Sequence, residues 1–423
     1  MSTSQPKTIA IVGASLAGAR AAEALRLKGY EGRVLLIGEE AVRPYERPPL
    51  SKEVLTEEAA EPQWVHPKAY YEEAGIELLL GRKVVGLGGG EPFTLELSDG
   101  DTVEADAVLL TTGGSPRHLP GIARSERVHY LRDWNDALSL KSALTPSARV
   151  AVIGTGFIGA EVAGSAAKMG CSVSLVEAQD EPFPAIRSAA LRRHILDGFE
   201  TAGVSLLTSS PVQSVTDQDE RLVIEAGGKT IEADVAVIGV GIVPATELAE
   251  AVGAETDGGV LVDGRYRTSV PGLYAAGDVA THIGRDGSRL RVEHWRSAQE
   301  QGAAAAAAIL GEEPPELSTP WCWSDQPAGR VEIAGDPSAG DTEVLRRESD
   351  GSLCVFHLAQ GRIVGATGVD ARRQIRTASK WIGKGSCPDT AALADPEVPI
   401  NKVPVHDHRA ALTGAEERHA PNG

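Results

Sequence analysis

Apolar and polar positions follow one another along this chain in blocks whose periods define two kinds of segment. Thr8-Ile9-Ala10-Ile11-Val12 is a continuous apolar run of strand length, as expected for a strand buried on both faces. The alanine-rich stretch from Gly18 to Lys28 then carries helical spacing and stops at Gly29. Val34-Leu35-Leu36-Ile37 predicts a second buried strand, closing at Gly38-Glu39. The same succession returns at Val150-Ala151-Val152-Ile153, a helix running to Met169, and Val173-Ser174-Leu175-Val176 ending on Glu177. Strand, helix and strand at these spacings form the βαβ unit of a doubly wound α/β fold, here present twice.

Two further apolar runs, Val108-Leu109-Leu110-Thr111-Thr112-Gly113 and Asp234-Val235-Ala236-Val237-Ile238-Gly239, close the two folds, and Pro116, Pro120 and Gly121 break the chain between them. Gly272-Leu273-Tyr274-Ala275-Ala276-Gly277-Asp278 reads as a short strand that returns to the first fold, so the second fold is an insertion into the first. The run Ala303 to Leu310 reads as a helix face packed closely on the sheet. From about Pro320 the texture changes: Arg330 to Ala334, Thr342 to Leu345 and Leu353 to Leu358 alternate with Gly and Asp turns, predicting an antiparallel sheet. A basic helix follows, and the polar stretch from about His406 is expected to be mobile. The predicted organisation is a discontinuous doubly wound domain over 1–112 and 245–319, a second one over 113–244, and a C-terminal α+β domain over 320–423.

The turn between each first strand and its helix narrows the function. Gly13-Ala14-Ser15-Leu16-Ala17-Gly18 and Gly154-Thr155-Gly156-Phe157-Ile158-Gly159 both approximate the dinucleotide fingerprint. Its first glycine allows the tight turn, the second lets backbone approach a pyrophosphate, and the third lets helix and strand pack closely. Free amides at the positive helix end then meet the phosphates. Ser15 departs from the pattern; it is small, and its hydroxyl can donate to a phosphate oxygen. Glu39 lies 21 residues beyond Gly18 and Glu177 lies 18 beyond Gly159, where a carboxylate accepts ribose hydroxyls. Thr112 and Gly241, near the ends of the closing strands, complete the two sets of cofactor positions. Two cradles in one chain predict electron transfer between two bound dinucleotides.

Charge and cysteine content remove other classes. A net charge of −18 argues against nucleic acid and anionic membrane as partners. No apolar run reaches spanning length, and the first residues lack the apolar stretch of a signal peptide, so a cytoplasmic location is the expectation. Cys171, Cys322, Cys354 and Cys387 are scattered without a Cys-x-x-Cys pair, which supports neither a dithiol reductase nor a metal site. Residues 320–423 carry 12 Lys+Arg against 14 Asp+Glu and are the least acidic part of the chain. Within them Arg372, Arg373, Arg376 and Lys380 form a local basic helix, either a face for an acidic protein or a solvated surface.

The order Arg43-Pro44-Tyr45-Glu46-Arg47-Pro48-Pro49-Leu50-Ser51-Lys52, the two cradles, Ala275-Ala276-Gly277-Asp278-Val279, Glu293-His294-Trp295 and Trp321-Cys322-Trp323-Ser324-Asp325-Gln326 resembles the oxygenase-coupled, FAD-dependent NADH:ferredoxin reductases, the putidaredoxin reductase-like family. The resemblance runs through nearly the whole chain. It implies a glutathione-reductase-like architecture, with FAD in the first cradle and NADH in the second. It further implies that Arg47, Lys52, Asp278, Trp295 and Trp323 surround the FAD, and that Lys52 pairs with Glu161 beside the flavin's reactive nitrogen. A cation there favours the negative charge that develops on reduction. Glu177, with no basic residue from Ala178 to Ile186, favours NADH over NADPH. The implied partner is an acidic iron–sulfur ferredoxin feeding a mono- or dioxygenase, docked on the basic helix together with Arg43. A rubredoxin reductase, and an NADH-sensing flavoprotein of the apoptosis-inducing-factor type, are the alternative readings. A flavin-dependent disulfide reductase would need a cysteine in the stretch after Arg47, which reads Pro-Pro-Leu-Ser-Lys.

Overall fold

The computed structural model describes residues 5–122, 124–284 and 287–407; the polar tail expected from His406 lies almost entirely outside them. The chain divides into two compact units, one formed by Met1–Pro49, Ala60–Arg117 and Gly241–Leu317, the other by Leu50–Ala59, His118–Val240 and Ser318–Gly423.

The core of the first unit is a five-stranded sheet in the order Leu273–Ala275, Ala107–Leu110, Thr8–Val12, Arg33–Gly38, Ile76–Leu80. All four pairings are parallel. Parallel sheets are covered on both faces, which is why these strands read as unbroken apolar runs. The chain returns after the insertion to add Leu273–Ala275 to an edge, with Leu273 opposite Val108 and Ala275 opposite Leu110. The alanine run shares a buried core with Ile9, Ile11, Leu36 and Leu109 of the sheet, and its helix Trp295–Ile309 also packs closely on the helix Leu16–Leu27, where a Cβ on Gly302 would lie 2.1 Å from the Ala17 carbonyl oxygen. Small residues permit that separation, and Ala304 to Ala307 are fully buried. A three-stranded antiparallel sheet, Val84–Gly88, Phe93–Leu97 and Thr102–Ala105, also belongs to this unit.

In the second unit a parallel sheet runs Ser205–Leu207, Ser172–Val176, Arg149–Ile153, Val235–Ile238, Val128–Tyr130. The same unit contains an antiparallel sheet in the order Trp321–Gln326, Gly329–Gly335, Arg362–Val369, Leu353–Ala359, Thr342–Arg347, as its alternation predicts. This sheet packs on the Rossmann helices: Cβ atoms added at Gly164 and Gly198 would lie 3.1 Å from Pro327 and 2.5 Å from Ala328. Residues 50–59 also belong here, because Leu55 is fully buried in one apolar core with Leu140, Val152 and Ala163. The basic helix spans Arg372–Lys384.

Candidate functional site: two nucleotide cradles and a lysine–carboxylate cluster

In the first unit Gly13 follows the strand Thr8–Val12 with φ +119, a conformation open to glycine, and an added Cβ would lie 2.2 Å from the Thr111 carbonyl oxygen. At Gly18 the added atom would lie 2.1 Å from the Gly13 carbonyl. The backbone is thus drawn into a turn that directs the first amides of Leu16–Leu27 outward. Ser15 is the N-cap but makes no side-chain cap bond, and no acid occupies the first turn, so these amides remain available to an anion. The Ser15 hydroxyl instead accepts from Arg47 Nε at 3.1 Å, and Arg47 Nη2 meets Glu40 Oε1 at 2.5 Å. Ala17 is buried against the helix containing Gly302. Ser15 and Arg47 therefore form one polar rim over the turn, a donor set suited to the FAD pyrophosphate.

The second cradle repeats the turn with Gly154 at φ +102 and its potential Cβ 2.5 Å from the Gly239 carbonyl. Gly159 packs as Gly18 does, 2.1 Å from the Gly154 carbonyl. Gly156 differs. Its nearest heavy atom would be 3.8 Å away, so the protein itself leaves room for a Cβ there. The helix Phe157–Lys168 again has no side-chain cap and no acid in its first turn. Phe157 is half-buried and Ile158 is 43% exposed, large for an apolar side chain. Glu177 is buried and accepts from the Thr155 amide at 3.1 Å, from the Thr155 hydroxyl, and from the Gln179 amide at 2.9 Å. The open Gly156 and the anchored Glu177 suit the pyrophosphate and ribose of NADH.

Strand register sets the two acidic positions apart. Val12 pairs with Ile37 and Ile153 with Val176, so the counterpart of Glu177 is Gly38, and Glu39 lies one residue further on. Gly38 sits against Ala14, where a Cβ would meet the alanine methyl at 2.6 Å. The Glu39 side chain is 68% exposed and paired with Lys83 at 3.2 Å. Glu40, which fingerprint spacing does not single out, is the acid turned toward Arg47 and Tyr45. Its sequence signal is the basic and phenolic pair five to seven residues downstream.

Lys52 and Glu161 meet within the second unit at 3.3 Å, and the lysine also meets Asp325 at 3.2 Å. Glu161 accepts from Ser51 Oγ at 2.5 Å and from the Asp325 amide at 3.0 Å. Burial raises the Glu161 carboxyl above its ordinary range, and Lys52, the Ser51 and Ser324 hydroxyls and that amide pull against it. Lys52 lies 5.5 Å from the centre of the Trp323 ring, which stacks on Trp321 at 5.1 Å and carries Arg330 at 5.1 Å. Lys52 is thus held by two carboxylates with an indole beside it. The arrangement fixes a positive charge in a largely buried place, 12% exposed.

The remaining positions are distributed. In the first unit Thr112 Oγ1 donates to the Ala245 carbonyl at 2.9 Å, and Asp278 lies in the short 3-10 turn Gly277–Val279 after the edge strand. Trp295 opens its helix and donates from Nε1 to Glu46, whose carboxyl burial pushes up. Gly241 has φ +96 and begins the last segment of that unit. Arg43 stacks on Trp64 at 4.1 Å and donates to the His66 carbonyl. Arg372, Arg373, Arg376 and Lys380 are all exposed, and exposed Lys384 extends the four-residue spacing of Arg372, Arg376 and Lys380 into one stripe. All four cysteines are free; Cys322 and Cys354 are buried, and burial pushes the Cys322 thiol up to about 12. Among the described residues no helix is long and apolar enough to cross a membrane.

Comparison with known proteins bears on these features. The family profile described as pyridine nucleotide-disulphide oxidoreductase matches residues 7–302, and a profile described as reductase C-terminal matches 321–403. The chain is 37% identical to the benzene 1,2-dioxygenase system ferredoxin–NAD(+) reductase subunit of Pseudomonas putida, over 92% of this chain and 95% of that one. Among solved structures it is similar to the covalent putidaredoxin reductase–putidaredoxin complex, with TM-score 0.88 and 29% identity, covering 93% of this chain and 97% of that one. It is also similar to the ferredoxin reductase for the CYP199A2 system from Rhodopseudomonas palustris, with TM-score 0.86 and 29% identity, covering 94% and 99%.

Proposed function

Because this chain belongs to the pyridine nucleotide-disulphide oxidoreductase family, we propose that it is an FAD-dependent NADH:ferredoxin reductase supplying electrons to an oxygenase. The observation that carries this reading is the presence of two complete cradles together with a Lys52–Glu161 pair where a disulfide reductase would need thiols. The first cradle, with Ser15 and Arg47, holds FAD, with Thr112, Asp278 and Trp295 as the further contacts of this unit. Glu39 stands as the acid for its ribose. The second cradle, with Gly154, Gly156, Phe157, Ile158, Gly159 and Glu177, holds NADH, and Gly241 is assigned to the same set.

Bound FAD supplies the exchange between two-electron and one-electron steps that a nicotinamide does not perform. The chain's own part is positional and electrostatic. Lys52 offers a fixed cation toward the flavin, Glu161 and Asp325 hold it in place, and Trp323 excludes water on its flank. No side chain is required to form a covalent bond. The exposed cationic stripe Arg372, Arg373, Arg376 and Lys380 is the docking face for an acidic ferredoxin, standing out against a net charge of −18.

Rapid anaerobic mixing of flavin-loaded protein with NADH and then with an acidic two-iron ferredoxin of an oxygenase system tests the assignment. Flavin reduction followed by bleaching of the iron–sulfur absorbance is the expected course. A long-lived NADH complex with negligible turnover toward ferredoxin or dye would favour the sensor reading instead. Reversing the charges of Arg372, Arg373, Arg376 and Lys380 to glutamate is expected to cut ferredoxin reduction while sparing NADH-dependent dye reduction. Equal loss of both would remove this docking face.

A further inference from the structure

Thr155 occupies the variable position between the first two glycines of the second cradle, where the fingerprint prescribes no residue type, yet it is 2% exposed and fully hydrogen-bonded. Its hydroxyl accepts from the Phe183 amide at 2.9 Å and donates to Glu177 Oε2, and its own amide donates to the same oxygen at 3.1 Å. A hydroxyl has one hydrogen, so this is a directed chain: Phe183 N–H to Thr155 O–H to Glu177 carboxylate. The Gln179 amide takes one lone pair of Oε1 at 2.9 Å. Among the described residues the carboxylate therefore keeps one acceptor direction unused, on Oε1.

The far end of the chain is conformationally unusual. Phe183 has φ +57, in the left-handed region that a bulky side chain rarely adopts, and it is held there by burial and by a stacked ring pair with Phe199 at 5.3 Å. The loop is tied at other points too, with Ser210 N donating to the Glu177 carbonyl and Ser209 N to the Gln179 carbonyl. Residues 177–183 thus form a loop pinned at both ends, and Thr155 is the side chain that joins those ends.

We propose that Thr155 is a specificity-determining positioning residue. Its hydroxyl locks the Glu177 carboxylate in the one orientation that leaves an acceptor for an unsubstituted ribose hydroxyl and keeps a negative charge where a ribose phosphate would fall. The inference rests on the reading of the second cradle as the NADH site. A glutamate free to rotate would swing aside for a phosphorylated ribose; one held by three donors does not. Discrimination here belongs to the pair rather than to Glu177 alone.

Calorimetric titration of oxidised, flavin-loaded protein with NAD+ and NADP+, joined to NADH and NADPH kinetics with a dye acceptor, reads this out. Thr155→Val keeps shape but leaves the Phe183 amide and one carboxylate direction unpaired. It is expected to weaken NAD+ binding about tenfold and to reduce the NADH preference to a similar degree, raising KM for NADH more than it lowers kcat. Thr155→Ser is expected to restore both. In a Glu177→Gln background Thr155→Val is expected to change the preference no further. If the valine variant does not fold, Thr155→Ala is expected to move the preference in the same direction. A wild-type preference in both Thr155→Val and Thr155→Ala, or a full additional loss in the Glu177→Gln background, would overturn the inference. Wild-type protein that binds both nucleotides equally would overturn the NADH-site reading itself, a result distinguishable before any variant is made.

Discussion

The two cradles share sheet order, parallel pairing and turn geometry, yet they differ in the two places proposed to face a nucleotide. The first has Ser15 where the second has Gly156, and Gly38 where the second has Glu177. In the first, the space at the turn is closed by a hydroxyl bonded to Arg47, and the strand end is packed against Ala14. In the second, the turn is open and the strand end carries an anchored carboxylate. On the proposed reading the shared backbone makes a generic anion site, and these two side-chain positions separate a holder of FAD from a selective site for NADH. Retention and discrimination are separate properties laid on one frame.

The largest expected effect tests the shared frame. Gly13→Ala and Gly154→Ala would each place a Cβ 2.2–2.5 Å from a backbone carbonyl at positive φ, and each is expected to lower stability by about 3 kcal/mol or more, measured by denaturant unfolding. Gly156→Ala, with 3.8 Å of clearance, is expected to unfold like the wild type while losing about tenfold in NAD+ affinity, if backbone approach to pyrophosphate is what the glycine provides. Wild-type NAD+ affinity in Gly156→Ala would break the comparison at its centre. Next in size, Glu177→Ala is expected to reduce the NADH over NADPH preference by about tenfold or more. Glu39→Ala, which removes the acid assigned to the FAD ribose along with an exposed partner of Lys83, is expected to weaken flavin retention severalfold while leaving the melting temperature of the flavin-free protein unchanged. Unchanged flavin retention in Glu39→Ala would leave the first cradle without the acidic contact proposed for both.

The smallest effect concerns acid. Burial lowers the imidazole pKa of His66, His282 and His294 in the first unit and of His129 and His357 in the second, from an ordinary 6.5. Each takes up its proton less readily when folded, so folding stability is greatest above pH 6.5 and falls as pH drops below it, where the unfolded chain takes up the proton first. Thermal midpoints are expected to fall by a few degrees over the first pH unit below that value. His282→Gln is expected to flatten the profile.

The parallel cores were legible because strands buried on both faces are written as unbroken apolar runs, and because each glycine turn marks where strand gives way to helix. The edge strand Val128–Tyr130 has no such signature: it has three residues, one of them a buried histidine. Grouping of residues 50–59 with the second core was also illegible, since Leu55 finds its partners about a hundred residues later and nothing local signals them. Lys52 and Glu161 were paired through family resemblance, whereas Asp325 as a second acceptor for the lysine became visible only when the strand Trp321–Gln326 was in place. Thr155 has no sequence signal, because the motif treats its position as free. What the sequence hides in each case is a contact between distant segments, decided by packing rather than by period.

The late return of the chain to its first sheet has a consequence for biosynthesis. The edge strand Leu273–Ala275 and the helix that covers Ala17 are among the last parts of that unit to leave a ribosome, after the whole Val128–Ile238 Rossmann core. Until then the strand Ala107–Leu110 has an unpaired side and the nascent amino-terminal segment must wait, exposed to chaperones; the second Rossmann core waits longer still, for Val331, Ile333, Leu353 and Val355 to complete its apolar cluster.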